Sequence, residues 1–117
     1  MPKAVTIYHN PRCSKSRQTL ALLEEEGVAL EVIDYRKAPP SVAELKKVLK
    51  KLGLKADDIV RKGEARYAEL GLKARDVSED ELLALMVENP ILIERPIVVA
   101  GDKAALGRPP ESVLKIL

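Results

Sequence analysis

The sequence has no Phe and no Trp, and it contains one cysteine and one histidine among its 117 residues. A single thiol cannot close an internal disulfide, and one Cys with one His argues against a metal site. Such sparing cysteine use suits a reducing compartment. If this thiol carries out redox chemistry, the second thiol has to come from another molecule.

Long apolar runs are missing as well. The chain has no stretch of about 18 apolar residues and no signal-peptide core, so we expect a soluble, cytoplasmic protein. A net charge of +2 is too small to indicate a nucleic acid or a membrane surface as partner. Hydrophobic residues make up 46% of the chain, enough for one core, and we expect residues 1–117 to form a single domain.

The order of the predicted elements indicates an α/β fold. Residues 4–8 alternate and are β-branched, which predicts a strand; residues 13–26 predict a helix that ends at Gly27. A second strand follows at residues 30–35. A strand, helix and strand of these lengths form a right-handed parallel crossover.

A helical insertion at about residues 41–89 follows the crossover, and the sequence then returns to strands. Its first and last helices start from capping boxes at Ser41 and Ser78, and two short helices lie between them. Residues 97–106 predict an antiparallel hairpin that turns at Gly101, and residues 110–116 a last helix. The sum is a four-stranded mixed sheet flanked by helices.

The cysteine lies where the first strand gives way to the first helix, in the stretch His9–Arg17. The unpaired N–H groups of a first helical turn favour a thiolate at Cys13, and nearby cations reinforce that preference. First turns ordinarily carry acidic residues, yet this one carries Lys15 and Arg17. A cationic helix start beside a thiol indicates an anion site. Ser16 and Arg17 are candidate ligands from the first turn.

Three stretches carry a resemblance to a known family: His9–Arg17, Arg95–Val99 and Gly107–Pro109. With the βαβ, helices, ββα order, the chain looks like a member of the thioredoxin superfamily. More specifically, it resembles the glutaredoxin-coupled arsenate reductases, and among them the short chromosomal members. The resemblance covers essentially the whole chain.

That resemblance implies an enzyme that reduces arsenate to arsenite and that binds arsenate or a similar tetrahedral oxyanion. It implies Cys13 as the nucleophile, His9 as a residue that assists the thiol, and three arginines that hold the oxyanion, Arg61, Arg95 and Arg108. It implies no bound cofactor, glutathione as external reductant and glutaredoxin as partner. Nothing in the sequence demands a dimer, so a monomer is expected. The superfamily likeness also predicts a cis bond before Pro96.

Each of these residues has a plainer interpretation from its local sequence alone. A free cysteine is usually a small buried hydrophobe, and a single arginine is usually a surface residue. His9 could be a strand-end histidine exposed to water, and Ser16 a solvated serine in a first turn.

Other functions also have to be weighed. A phosphatase-like reductase needs C-x5-R, whereas Arg17 lies only four positions beyond Cys13. An Spx-type regulator that binds RNA polymerase senses redox state through C-x-x-C, and Ser16 stands where the second cysteine would be. A monothiol oxidoreductase would act on glutathione mixed disulfides with no oxyanion present.

Overall fold

The computed structural model describes residues 4–73, 76–94 and 96–117. These residues form two compact units, one made of residues 4–38 and 96–117 and the other of Pro39–Glu94. The first, the sheet unit, contains all four strands, and the second, the helical unit, contains four short helices. The single-domain organisation of the whole chain stays a prediction.

The sheet unit has the predicted mixed sheet. Its elements are β1 (Ala4–His9), α1 (Ser14–Glu25), β2 (Ala29–Asp34), β3 (Ile97–Ala100), β4 (Lys103–Leu106) and a 3-10 helix (Pro110–Ile116). The strand order is β2-β1-β3-β4, with β1 and β2 parallel and the other two pairs antiparallel. The α/β fold class and the four-stranded mixed sheet are therefore confirmed.

The core of the sheet unit holds α1 against the central strands. It consists of small and medium aliphatic side chains from β1, α1, β3 and the 3-10 helix: Val5, Ile7, Leu23, Val98, Ala100, Val113 and Ile116. Leu23 has no exposed surface, and burying such a side chain contributes about 1.5–3 kcal/mol. This packing fixes α1, and with it the position of Cys13 at its start.

The bounds of the first elements differ by one residue from those predicted, because β1 extends to His9 and β2 covers Ala29–Asp34 instead of residues 30–35. The helix expected over residues 13–26 begins at Ser14, because Cys13 has extended backbone angles and serves as its N-cap. The last segment, Pro110–Ile116, is the helix predicted there, and it is of the 3-10 type. Its backbone bonds span three residues, as from the Ser112 N–H to the Pro109 carbonyl at 3.0 Å, which is the 3-10 pattern.

The helical unit contains α2 (Val42–Leu52), α3 (Ala56–Ile59), α4 (Ala65–Glu69), α5 (Glu79–Glu88) and a 3-10 turn (Pro90–Leu92). The predicted capping box of α2 is present, because Ser41 Oγ accepts from the Glu44 N–H while the Glu44 carboxylate accepts from the Ser41 N–H. Ser78 Oγ likewise accepts from the Glu81 N–H at 3.1 Å.

Two predictions fall on a position outside the described residues. They concern Arg95 and the cis bond between Arg95 and Pro96. Within the described chain, the peptide bond between Arg108 and Pro109 is cis. In the same part of the chain, we find no helix with the length and apolar character needed to cross a membrane.

Candidate active site

The loop between β1 and α1 is organised by a buried asparagine. The Asn10 carbonyl oxygen accepts from the Cys13 N–H at 3.0 Å, and its side-chain Oδ1 accepts from the Arg12 N–H at 3.0 Å. The guanidinium of Arg17 donates to the Pro11 carbonyl at 2.9 Å. These bonds tie the loop to itself and to α1, and they fix the backbone of Cys13.

Ser16 ties the end of β1 to the first turn of α1. Its side chain has no exposed surface, and its Oγ accepts from the Asn10 N–H at 3.0 Å. The same oxygen lies 2.6 Å from His9 Nδ1, and His9 is itself only 6% exposed. The interpretations of Ser16 as a solvated serine and of His9 as an exposed strand-end residue are therefore wrong.

The environment of His9 favours its neutral form. Burial lowers the pKa of His9 below the ordinary 6.5, and Arg17 and Arg36 lower it further, against an opposing effect of Asp34. Asp34 stands opposite His9 in the strand register, but its carboxylate is engaged by the Arg36 guanidinium at 3.1 Å. His9 therefore contributes a hydrogen-bonding group to the site at neutral pH instead of a positive charge.

The hydrogen bond between Ser16 and His9 can be donated from either side. A hydroxyl has one proton to donate and two lone pairs to accept with, and the Asn10 N–H occupies only one of those lone pairs. Ser16 Oγ therefore donates to His9 Nδ1 in one imidazole tautomer and accepts from it in the other.

Cys13 caps α1 through its backbone. Its φ of −93° and ψ of 123° are extended, and its carbonyl accepts from the Arg17 N–H at 3.0 Å. Within the described residues, its side chain makes no capping bond to the helix N–H groups. The thiol is half-buried, so the interpretation of Cys13 as a fully buried hydrophobe is wrong.

Arg108 reaches the sulfur from the far end of the sequence. Its Nη2 lies 3.7 Å from Cys13 Sγ, within the range of a hydrogen bond to sulfur, although the two residues are 95 positions apart. A guanidinium at this distance stabilises a thiolate. The structure thus brings together Cys13, Arg108 and the positive end of α1.

Arg61 lies in the helical unit, where two carboxylates pair with it. Its Nη1 is 2.9 Å from Glu64 Oε1, and its Nε is 3.8 Å from Glu94 Oε1. The backbone reinforces this arrangement, because the Arg61 N–H donates to the Leu92 carbonyl at 2.7 Å and the Glu94 N–H donates to the Ile59 carbonyl at 2.8 Å. The predicted role of Arg61 in oxyanion binding stays a prediction.

Among the predicted site residues that the structure describes, five belong to the sheet unit: Cys13, His9, Ser16, Arg17 and Arg108. Sequence reasoning missed Asn10, which bonds both Cys13 and Arg12. An available signal was the Asn-Pro pair, since Asn readily bonds backbone N–H groups two residues on. In the described ranges, no group of three or more His, Cys, Asp or Glu side chains could hold a metal ion.

Comparison with known proteins identifies the family of this chain. The family model described as the ArsC family matches residues 8–116. This chain belongs to the ArsC family. It is 53% identical to the uncharacterized protein YfgD of Escherichia coli strain K12, over 100% of this chain and 99% of the relative.

Relatives named arsenate reductase are nearly as similar. The arsenate reductase of Neisseria meningitidis strain MC58 is 48% identical, over 100% of both chains. Among solved structures, an arsenate reductase from Vibrio cholerae superposes with a TM-score of 0.96 at 52% identity, and 100% of both chains is covered. The likeness to ArsC-family proteins therefore extends over the whole chain.

Proposed function

We infer that this protein is an arsenate reductase, an enzyme that reduces arsenate to arsenite through Cys13. The observation that carries the inference is the contact of Arg108 Nη2 with Cys13 Sγ, 3.7 Å apart at the positive end of α1. Relatives that are 48–52% identical over 97–100% of this chain are named arsenate reductase. A thiol beside a guanidinium and a helix N-terminus lies where an oxyanion can bind.

In the first step, the Cys13 thiolate attacks arsenic(V). A sulfur–arsenic bond forms, an arsenic–oxygen bond breaks, and the departing hydroxide takes up a proton and leaves as water. The negative charge on the oxyanion and the thiolate would otherwise repel, and Arg108 together with the α1 amides offsets that repulsion. Arsenic is still in its pentavalent state at the end of this step.

The second step is the reduction, and it needs a second thiol. We propose that glutathione supplies it: its thiolate attacks the Cys13 sulfur, and the sulfur–arsenic bond breaks with its electron pair staying on arsenic. Arsenic(V) becomes arsenic(III), and two thiols become one disulfide. A glutaredoxin thiol then attacks the glutathione sulfur and releases the Cys13 thiolate. An external partner is needed because Cys13 is the only cysteine in the sequence.

The surrounding residues divide between contact and positioning. We propose that Arg108 contacts the oxyanion and that Arg61 and Arg95 do so as well, the latter two on the strength of the family resemblance. Arg17 braces the loop through the Pro11 carbonyl. Ser16 and His9 also hold the loop.

Phosphate poses a selectivity problem, since it is nearly isosteric with arsenate and arginines alone cannot exclude it. We propose that discrimination arises in the chemical step, because a soft thiolate attacks arsenic more readily than phosphorus and only arsenate is then reduced. Phosphate should therefore compete for binding without being turned over. We further propose that the enzyme acts in the cytoplasm as a monomer without a bound cofactor.

The test is arsenate reduction by wild type and by Cys13→Ser, with glutathione and glutaredoxin present and with each left out in turn. We expect turnover only with wild type and both thiol partners. Wild-type turnover no faster than that of Cys13→Ser would overturn the inference. Reduction of a glutathione mixed disulfide at full rate without arsenate, together with no arsenate turnover, would instead favour a monothiol oxidoreductase.

A further inference from the structure

Gly107 is packed so closely that it has no room for a side chain. It is buried between β4 and Arg108, and its N–H donates to the Pro96 carbonyl at 2.9 Å. A Cβ built at this position would collide with Thr19 Oγ1 and would lie 2.6 Å from Pro96 Cγ. Only glycine lets the backbone come this close to its neighbours.

The two neighbours of Gly107 have little freedom to give way. Thr19 is fully buried in α1, and its Oγ1 donates to the Lys15 carbonyl at 2.8 Å, which holds its rotamer. Pro96 carries a rigid ring, and its carbonyl is the acceptor for the Gly107 N–H. A side chain at position 107 would therefore be accommodated by movement of the segment that carries it.

That segment leads directly to the sulfur contact. Arg108 is the next residue after Gly107, and Cys13 precedes Thr19 by six residues, about 9 Å along the axis of α1. The contact between Gly107 and Thr19 thus sets how closely the chain passes over α1, and Arg108 extends from there to Cys13 Sγ.

We propose that Gly107 is a positioning residue: its lack of a side chain lets the end of β4 approach α1 closely enough for Arg108 to reach the Cys13 sulfur. The consequence for arsenate rests on the proposed function. The effect on the sulfur itself does not, because it is measured without any oxyanion.

The experiment is the rate of Cys13 alkylation by iodoacetamide as a function of pH, which reports the fraction of thiolate. Every alkylation event is at Cys13, because the sequence has no other cysteine. We expect Arg108→Gln to raise the midpoint by about one pH unit. Gly107→Ala should raise it by a similar amount, and adding Gly107→Ala to Arg108→Gln should raise it no further.

A matched control separates positioning from a general loss of stability. Gly101 lies in the turn between β3 and β4 with φ +63°, and no described atom comes within 4 Å of a Cβ built there. Gly101→Ala should lower the melting temperature through backbone strain and leave the alkylation midpoint unchanged at temperatures where the protein is folded.

The proposal is overturned if folded Gly107→Ala keeps the wild-type midpoint while Arg108→Gln shifts it, or if the two shifts add. Should Gly107→Ala not fold, Thr19→Ala decides. Removing the Thr19 side chain takes away the surface against which Gly107 packs, so the pH midpoint of alkylation should rise, by less than in Arg108→Gln. An unchanged alkylation midpoint contradicts the proposal. If the alkylation midpoints shift as expected but the wild-type protein does not reduce arsenate, only the proposed function is contradicted.

Discussion

The helices α1 and α2 begin in opposite ways. At the start of α2, Ser41 and Glu44 form a reciprocal capping box that satisfies two backbone N–H groups. At the start of α1, Cys13 occupies the N-cap position, and in the described chain its side chain makes no capping bond. Replacing a good N-cap with a residue that cannot cap costs about 1 kcal/mol, so α1 gives up stability that α2 keeps.

The charges at the two helices follow the same division. The first turn of α2 includes Glu44, and its last turn carries Lys50 and Lys51, the arrangement that complements the helix dipole. The first turn of α1 carries Lys15 and Arg17 instead. Each misplaced charge costs about 0.3–1 kcal/mol at an exposed helix end.

The difference shows which helix serves the chemistry. A capped and acidic first turn leaves few N–H groups for an outside anion, whereas the start of α1 keeps its positive field directed at Cys13 and at whatever docks there. The cost to α1 is offset by packing, chiefly by Leu23, which is fully buried in the core of the sheet unit. Stability comes from the buried face of α1, and function from its N-terminus.

Cys13→Ser should have the largest effect, because it gives α1 a capping side chain and removes the thiol. A serine at the N-cap position can accept a bond from the first-turn N–H groups, so the free energy of unfolding should rise by about 0.5–1 kcal/mol. Arsenate turnover should fall by about 10³-fold or more, because a serine hydroxyl is a far poorer nucleophile than a thiolate at neutral pH. Urea unfolding and the turnover assay measure the two effects.

Ser41→Ala is the matched control at α2. It should lose about 1 kcal/mol of unfolding free energy, through the lost capping bond to the Glu44 N–H, and keep full turnover per folded molecule. If Cys13→Ser destabilised the protein as much as Ser41→Ala does, the idea that α1 forgoes a cap for the sake of its thiol would be wrong.

Arg108→Gln should produce the next largest effect. Removing the guanidinium beside Cys13 Sγ leaves the amide of Gln with no charge to stabilise the thiolate or the oxyanion. Hydrogen bonds to charged groups are worth about 1.5–3 kcal/mol, so kcat/KM for arsenate should fall by about 10- to 100-fold. Unchanged kcat/KM would remove Arg108 from the site. Because Arg108 is largely exposed, the melting temperature should change little.

Arg61 allows a test with two variants, because its guanidinium pairs with two carboxylates. If it binds arsenate as proposed, Arg61→Gln should raise KM, and Glu64→Gln should lower KM by about 3-fold, since one competing partner is gone. The pair of variants is diagnostic: if Arg61 only braces the helical unit, both variants lower stability and neither changes KM. Steady-state kinetics in low salt measure the difference.

Much of the fold was predictable from the sequence, because local patterns were strong there. The alternation in residues 4–8 and the stop at Gly27 reflect local backbone chemistry, and the structure has the corresponding elements. The capping box predicted at Ser41 is present, and at Ser78 the structure shows the bond that Ser78 Oγ accepts from the Glu81 N–H. The 3-10 form of Pro110–Ile116 was not predicted. Its apolar spacing suits either helix type, and only the backbone bonds distinguish them.

The site was less predictable, because its contacts join distant parts of the chain. Cys13 and its cationic helix start are visible in one stretch of sequence, but nothing local shows that Arg108 meets the sulfur across 95 positions. The family resemblance named Arg108 without giving its geometry. The packing of Gly107 against Thr19 was missed for the same reason, since a glycine in sequence does not reveal which surface it approaches.

His9 should give the protein a pH-dependent stability. Its pKa in the folded state is lowered from 6.5, so between the lowered value and 6.5 the unfolded chain binds more protons than the folded one. The stabilisation is complete above 6.5 and is lost as the pH falls through that window. Urea unfolding at about pH 7 and about pH 5 should show the decrease, and His9→Asn should flatten it.

The titration of Asp34 does not contribute to this decrease in stability. Its pKa is lowered from 3.8 by its bonds to Arg36, so its own contribution to stability is lost only in more acidic solution. An equal decrease between the two pH values in wild type and His9→Asn would show that His9 does not titrate as a buried group.

The smallest expected effect comes from Lys15→Glu, which gives α1 the acidic first turn that α2 already has. The substitution should raise the free energy of unfolding by about 0.3–1 kcal/mol, because a carboxylate there complements the helix dipole. The same carboxylate weakens the positive field at Cys13, so the pH midpoint of alkylation should rise by a few tenths of a unit. Lys15→Gln is the control that removes the cation without adding an anion, and it should fall between wild type and Lys15→Glu in both measurements. If Lys15→Glu raised stability and left the thiol unaffected, the cationic first turn would have no part in activating Cys13, and Arg108 with the helix amides would have to account for it alone.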